Sequence, residues 1–191
     1  PEQHLWGPRD YYKGEYYRNA LAHFASETGY HGCPSVKSIK KFISPECLWP
    51  YKDNGEWRLH ASSPTMKEDE TYAYRIELMA NQIKILFGDL PDNLDDFSLL
   101  SQISQAEAKK YFIERFRIGK WRRTGIIWWN IIDGCPQFSD AVVDYYYEKK
   151  LAYYYIKNSQ ARTALMFDEP KGETAELIGV NDTNEEKKVK F

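Results

Sequence analysis

The stretch Gly125-Ile-Ile-Trp-Trp-Asn-Ile-Ile-Asp133 is an almost unbroken apolar run without period-two alternation. A strand with one face in water alternates apolar and polar residues, so such a run predicts a strand buried on both sides, as in a parallel sheet wrapped by helices. Gly134-Cys-Pro136 closes it. The rest of the chain has to supply neighbouring strands and covering helices, and 191 residues suffice for one domain, or for one domain and part of another.

A second strand is read around Ala22-His-Phe-Ala-Ser-Glu27-Thr-Gly-Tyr-His31-Gly-Cys-Pro34. A short β-prone run through Phe24 ends in one carboxylate and then breaks at Gly29, Gly32 and Pro34. Glu27, at the end of that strand, is the candidate chemical centre. Taken alone, a Glu at a strand end is mostly a surface or ion-paired residue.

The segment from His4 to Tyr12 reads as a loop, and Tyr16 to Leu21 leads into the Glu27 strand. Ser35 caps a short helix carrying Val36, Ile39, Phe42 and Ile43 on one face. Residues 44–64 have the turn chemistry of a long excursion bearing Trp57 and His60. Helical spacing runs from about Thr71 to Phe87, ended by Gly88, and Ser104-Gln-Ala-Glu107 reads as the capping box of a second helix stopping at Gly119. Ser139 and Asp140 offer caps for a further helix to about Lys157. The order strand, helices, strand, helix is half of an α/β repeat. Past Asn158, short apolar stretches at 163–167, 174–180 and 187–191 alternate with turn residues, as at the start of an all-β domain. Two or three strands cannot bury two faces, so they lean on the helical part or pair in trans.

A net charge of -2 and a pI near 6.2 disfavour nucleic acid and anionic membranes as partners. No run approaches a membrane span, and the N-terminal residues lack the pattern of a signal peptide, so the chain reads as soluble and already processed or truncated. Cys33, Cys47 and Cys135 have no metal or disulfide spacing, and His, Cys and Asp do not cluster as metal ligands, so neither metal nor cofactor is expected. Aromatic residues make up 16%, which serves cores and sugar-stacking sites alike. Localisation is not legible.

Three motifs resemble the catalytic module of glycoside hydrolase family 2, particularly its β-mannosidase-like members. Phe24-Ala-Ser-Glu27-Thr-Gly29-Tyr is similar to the strand carrying the family's nucleophile, Gly125 to Pro136 to its final barrel strand, and His4-Leu-Trp6-Gly to the loop after the preceding strand. Ala164-Leu-Met-Phe-Asp-Glu-Pro170 resembles the opening of the following β-sandwich domain. The resemblance implies an α/β fold: the C-terminal portion of a (β/α)8 TIM barrel over 1–158, with roughly two of the eight strands, then the first strands of an immunoglobulin-like β-sandwich over 159–191. Ile132 and Cys135 depart from the residues common at those positions.

The resemblance further implies a retaining glycosidase acting on β-mannosidic or related β-glycosidic bonds, with a carbohydrate substrate. Glu27 would be its nucleophile, and Trp129 and Trp6 would form the sugar subsite. Trp128 should point the opposite way from Trp129, because neighbouring strand residues face opposite sides. Asp133 would bind a sugar hydroxyl or cap its loop; His4 is a subsite candidate alongside Trp6, with loop packing as the alternative for both, His31 is a weaker one, and Arg9 either pairs with Asp10 or supports the site. The family's Asn-Glu pair, bearing the acid/base, has no counterpart before Glu27, and Asn184-Glu185 lies in the tail. The expected partner is therefore the missing N-terminal part of the same enzyme, without which the chain should be inactive. The rival reading is a non-catalytic carbohydrate-binding or structural piece using Trp129, Trp6 and Trp57, and β-galactosidase, β-glucuronidase and glucosaminidase specificities stay open.

Overall fold

The computed structural model describes residues 1–62, 74–188 and 190. Three strands, β1 (Glu2–Leu5), β2 (Phe24–Gly29) and β3 (Gly125–Trp129), form one sheet in the order β1-β2-β3, parallel throughout. The sequence reading had two parallel strands; the third, β1, falls in the segment read as a loop. It pairs with β2 as Glu2↔Phe24 and Gln3↔Ala25. Its residues Glu2, Gln3 and His4 are exposed, so no apolar pattern announced it.

The β1-to-β2 connection carries the single-turn α1 (Glu15–Arg18). The longer β2-to-β3 connection carries the short α2 (Val36–Ile39) and α3 (Gly55–Leu59), then α4 (Tyr74–Phe87) and the 25-residue α5 (Leu94–Ile118). The Ser35 cap of α2 is present, its side chain accepting from Ser38 N. Helix α4 begins in the description at Tyr74, and the start expected near Thr71 lies outside the described residues.

Helix α5 does not begin at the Ser104 box. It starts ten residues earlier, where Asn93 Oδ1 accepts from Asp96 N at 2.9 Å and Asp95 and Asp96 sit in the positive first turn. Ser98, Ser101 and Gln105 face inward from this helix and bond the loop after β2. Ser98 Oγ donates to Pro34 O at 2.7 Å, Cys33 N donates to Ser101 Oγ at 3.0 Å, and Gln105 Nε2 donates to Tyr30 O at 3.0 Å and Asp140 O at 2.9 Å. These polar residues lie in a helix because the strand-end loop needs partners there.

After Trp129 the chain leaves the ladder. The Trp129–Asn130 peptide is cis, and residues 130–133 pair with Val142 and Val143 instead: Val142 N donates to Asn130 O at 3.1 Å and Asp133 N to Val143 O at 3.1 Å. The strand expected to Asp133 therefore ends four residues sooner. Ile126 and Trp128 pack toward α5 and α6 (Leu151–Ser159), while Ile127 and Trp129 on the other face are 52% and 45% exposed. Burial on both faces, expected from the run, is thus met on one face within the described residues. The helix expected from Ser139 starts only at Leu151; before it, Asp144 Oδ1 accepts from Tyr146 N and Glu148 N at 2.9 and 3.0 Å and holds a turn.

The tail forms an antiparallel pair, β4 (Thr163–Phe167) and β5 (Leu177–Asn181). It leans on the helical layer: Met166 and Val180 are buried, Arg115 pairs with Asp168, and Arg117 and Lys120 reach Asp182 at 2.7 and 2.6 Å. Lys187, Lys188 and Lys190 are not in a strand, and Val189 and Phe191 lie outside the described residues.

The core beneath the sheet is tyrosine-rich. Leu5, Ala22, Ala25 and Tyr30 pack with Tyr12, Tyr17, Tyr111, Phe112 and Phe116. Two of these phenols tie down the loop that follows β1: Tyr30 OH donates to Asp10 O at 3.1 Å and Tyr17 OH to Gly7 O at 3.4 Å. A separate cluster around Trp57, Phe97 and Phe138 anchors the 44–62 excursion, with Trp57 fully buried and stacked on Phe138 at 4.3 Å between ring centres. Trp57 is therefore a core residue and unavailable to a sugar.

Candidate active site

The C-terminal ends of the three parallel strands meet at one place, with His4 opposite Glu27 and Gly29 opposite Trp129. Strand β2 carries one residue more than either neighbour between Ala25 and Thr28, so the pairing shifts on both sides. A bulge of this kind re-aims a side chain. Here it falls at Ser26-Glu27 and sets the carboxylate apart from buried Ala25, while Thr28 Oγ1, donating to Leu5 O at 3.1 Å, locks β1 to β2 just beyond.

Trp6, Arg9, Glu27, Trp129, Asn130 and Asp140 line a cleft of about 500 Å³. Trp6 Nε1 donates to Glu27 Oε2 at 2.7 Å, and His4 Nδ1 stands 3.3 Å from the same oxygen. Both contacts fall on Oε2; Oε1 has no partner among the described residues. One oxygen of the carboxylate is thus held and the other is left open. The Trp6 ring reaches Glu27 because Gly29 has no side chain: a Cβ there would lie 2.3 Å from Trp6 Cη2 and 3.0 Å from Asp140 Oδ1. The Arg9 guanidinium lies over the Trp6 ring at 4.6 Å from its centre.

Trp129 presents its half-exposed indole at the end of β3, and Trp128 faces the helices, as alternation requires. The Trp129 carbonyl accepts from Lys109 Nζ, which comes from α5 and is fully buried, 5.7 Å over the Trp128 ring. Burial pushes the Lys109 amine down to about 7, against the pull of Asp140 and with the help of Lys150.

Two sequence candidates stand behind the cleft instead of in it. His31 is wholly buried, its Nδ1 3.1 Å from Asp140 Oδ1 and its Nε2 3.4 Å from Ser62 Oγ, which accepts from Arg75 Nη1 at 2.6 Å. With no exposed surface it cannot touch substrate. Burial pushes its pKa below the usual imidazole value. Asp133, 4% exposed, accepts from Gln137 Nε2 at 2.7 Å and Ser139 Oγ at 2.6 Å, which is the loop-capping alternative. Burial pushes its carboxyl up, opposed by Lys150 and those two bonds.

Asp140, read from sequence only as a helix cap, is the residue that sequence reasoning missed. Burial alone would raise its carboxyl, but His31, Lys109 and Arg9 together hold it below the usual carboxylate range. It is an ionised group among three basic side chains, and its backbone carbonyl is fixed by Gln105. Its position in the loop that follows β3, eleven residues beyond Trp129, was the available signal.

A carboxylate with one free oxygen beside a flat, half-exposed indole suits attack on a sugar ring stacked against that indole. A second carboxyl about 5 to 5.5 Å away, as a retaining glycosidase requires, is not among the described cleft residues, since Asp140 is buried and engaged. Among the described residues no group of three or more His, Cys, Asp or Glu is arranged to hold a metal, and no helix is long and apolar enough to cross a membrane.

No protein-family model matches the sequence. The chain is 29% identical over 171 residues to an exo-β-D-glucosaminidase of Arthroderma benhamiae, covering 85% of this chain and 18% of that protein. In fold it is similar to a β-D-mannosidase of Dictyoglomus thermophilum, with a TM-score of 0.77 and 26% identity over 96% of this chain and 21% of the other. It also resembles an exo-chitosanase of Amycolatopsis orientalis, with a TM-score of 0.60 and 16% identity over 87% of this chain and 20% of the other. The chain thus spans about a fifth of the length of each of these relatives.

Proposed function

The chain resembles the β-mannosidase-like members of glycoside hydrolase family 2 in sequence and in fold, and on that premise we propose that it is part of a retaining glycosidase with Glu27 as nucleophile. Residues 1–158 are then the C-terminal portion of a (β/α)8 barrel and 159–191 the opening of a β-sandwich. The observation that carries the reading is the Trp6–Glu27 bond at the mouth of a parallel sheet, which holds Oε2 and leaves Oε1 free.

In this mechanism Oε1 attacks the anomeric carbon as the glycosidic C–O bond breaks. The leaving oxygen takes its proton from an acid/base outside this chain. The resulting glycosyl ester at Glu27 is hydrolysed by water, which that same acid/base deprotonates, and the carboxylate is regenerated. Trp129 provides the platform for the sugar's apolar face, and Trp6 and His4 orient the nucleophile and border the subsite. His31 and Asp133 serve by holding the loops around Asp140 and Ser139. The substrate bond is β-mannosidic or a related β-glycosidic bond, including β-glucosaminidic.

Glu27→Gln in the full-length enzyme is expected to abolish turnover of aryl β-glycosides by orders of magnitude while leaving the fold intact; near-normal turnover contradicts the assignment. One other reading, a carbohydrate-binding piece that does not cleave, is favoured by the absence of a second free carboxyl among the described cleft residues. Sugar binding by the full-length protein without hydrolysis of any aryl β-glycoside in a panel would decide for it.

A further inference from the structure

Arg9 lines the cleft, and nothing above gives it a part in the chemistry. Its guanidinium covers the Trp6 ring at 4.6 Å, and its Nη1 is sealed from solvent with no hydrogen-bond partner among the described residues. A guanidinium nitrogen buried without an acceptor costs free energy, and the compensation on hand is the indole face and the ionised carboxylate of Asp140, whose charge Arg9 helps to stabilise. The opposite edge of the same indole is pressed against Gly29, and its Nε1 reaches Glu27 at 2.7 Å. The ring is therefore held on three sides: by Arg9, by the bare backbone of β2 and by the carboxylate. The loop that bears both residues is itself pinned by the phenols of Tyr17 and Tyr30 through Gly7 and Asp10, either side of Arg9.

We infer that Arg9 is a positioning residue for the nucleophile: by clamping the Trp6 indole it fixes the Trp6–Glu27 bond and so the direction in which Glu27 Oε1 points. The inference rests on the glycosidase reading and deepens it. Lysine is not an equivalent, because its ammonium has no plane to lay against the indole. Arg9 is partly exposed, so its replacement leaves the core untouched.

The test uses the full-length enzyme and a 2-deoxy-2-fluoro-β-mannoside bearing a good leaving group, whose inactivation rate reports formation of the bond to Glu27. R9M is expected to lower the maximal inactivation rate about ten-fold or more, the scale of a misdirected reacting group, with the half-saturating concentration changed less than about three-fold. R9K is expected to fall between R9M and wild type. Trp6→Phe, which removes the indole N–H, should lower the rate similarly, and R9M added to Trp6→Phe should cost little more, because both act on one bond. A rate for R9M within two-fold of wild type, an R9K variant equal to wild type, or fully additive losses in the double variant would overturn the inference. Wild-type enzyme that is neither inactivated nor labelled at Glu27 by this probe or by the corresponding gluco- and galacto-configured 2-deoxy-2-fluoro-β-glycosides overturns the glycosidase reading itself and the role of Arg9 with it, an outcome distinct from labelled wild type with an unaffected R9M.

Discussion

At the scale of single residues, the site depends on a side chain that is absent. Gly29→Ala would place a methyl carbon 2.3 Å from the Trp6 ring, so the indole must move and the bond to Glu27 with it. This variant of the full-length enzyme is expected to keep its fold, at an over-packing cost of about 1–3 kcal/mol, but to lose at least about ten-fold in kcat. Thermal unfolding and steady-state kinetics on one preparation separate the two effects. Trp129→Ala should act differently. It removes a half-exposed surface and no reacting group, so KM rises about ten-fold, ~1.4 kcal/mol of lost contact, while kcat changes less. An unchanged KM would remove Trp129 from the sugar subsite.

At the scale of elements, α5 carries the site from behind, and it is where sequence reading was least informative. The Glu27 strand, the Trp128/Trp129 alternation and the Ser35 cap were legible because each depends on neighbours in sequence. The start of α5 was not. Ser104-Gln-Ala-Glu107 looks like a cap in one dimension, yet it lies in mid-helix, in a stretch whose Ser98, Ser101 and Gln105 side chains bond the loop after Glu27. In the same way the helix expected from Ser139 gives way to a turn held by Asp144, and His31 and Asp133, read as candidate ligand contacts, are spent on buried partners. The N-cap itself is testable: Asn93→Ala should destabilise the fold by about 1 kcal/mol, measured by denaturant unfolding.

Lys109 gives α5 a pH signature. Its amine holds a proton below about 7 in the folded chain and below about 10.4 when unfolded. Below pH 7 both states are protonated and this group adds no slope. Between about 7 and 10 only the unfolded chain keeps the proton, so stability rises with pH, by up to about 1.4 kcal/mol per unit. Unfolding free energies of wild type and Lys109→Met, compared from pH 6 to 9.5, should diverge in favour of wild type above pH 7. Parallel curves would contradict burial of the amine. Above pH 10 the buried phenols, among them Tyr12 at about 12, act in the opposite sense and reverse the trend.

At the scale of the whole molecule, the sheet fits the proposed barrel as one part of it. A parallel sheet is covered on both faces, yet among the described residues β3 leaves Ile127 and Trp129 exposed on one side and β1 has no neighbour beyond it. In the proposed barrel those edges and that face are completed by further strands, which also bring the acid/base. The chain expressed alone should therefore leave aryl β-mannosides and β-glucosaminides unhydrolysed, and hydrolysis by the isolated chain would show that both carboxyls lie within it.

The central claim is that Glu27 forms the covalent bond to the sugar. Inactivating the full-length enzyme with a 2-deoxy-2-fluoro-β-glycoside, digesting it and mapping the adduct by mass spectrometry tests this directly. A single label is expected on the peptide spanning Phe24 to Cys33, at Glu27; a label on any other carboxylate contradicts the assignment.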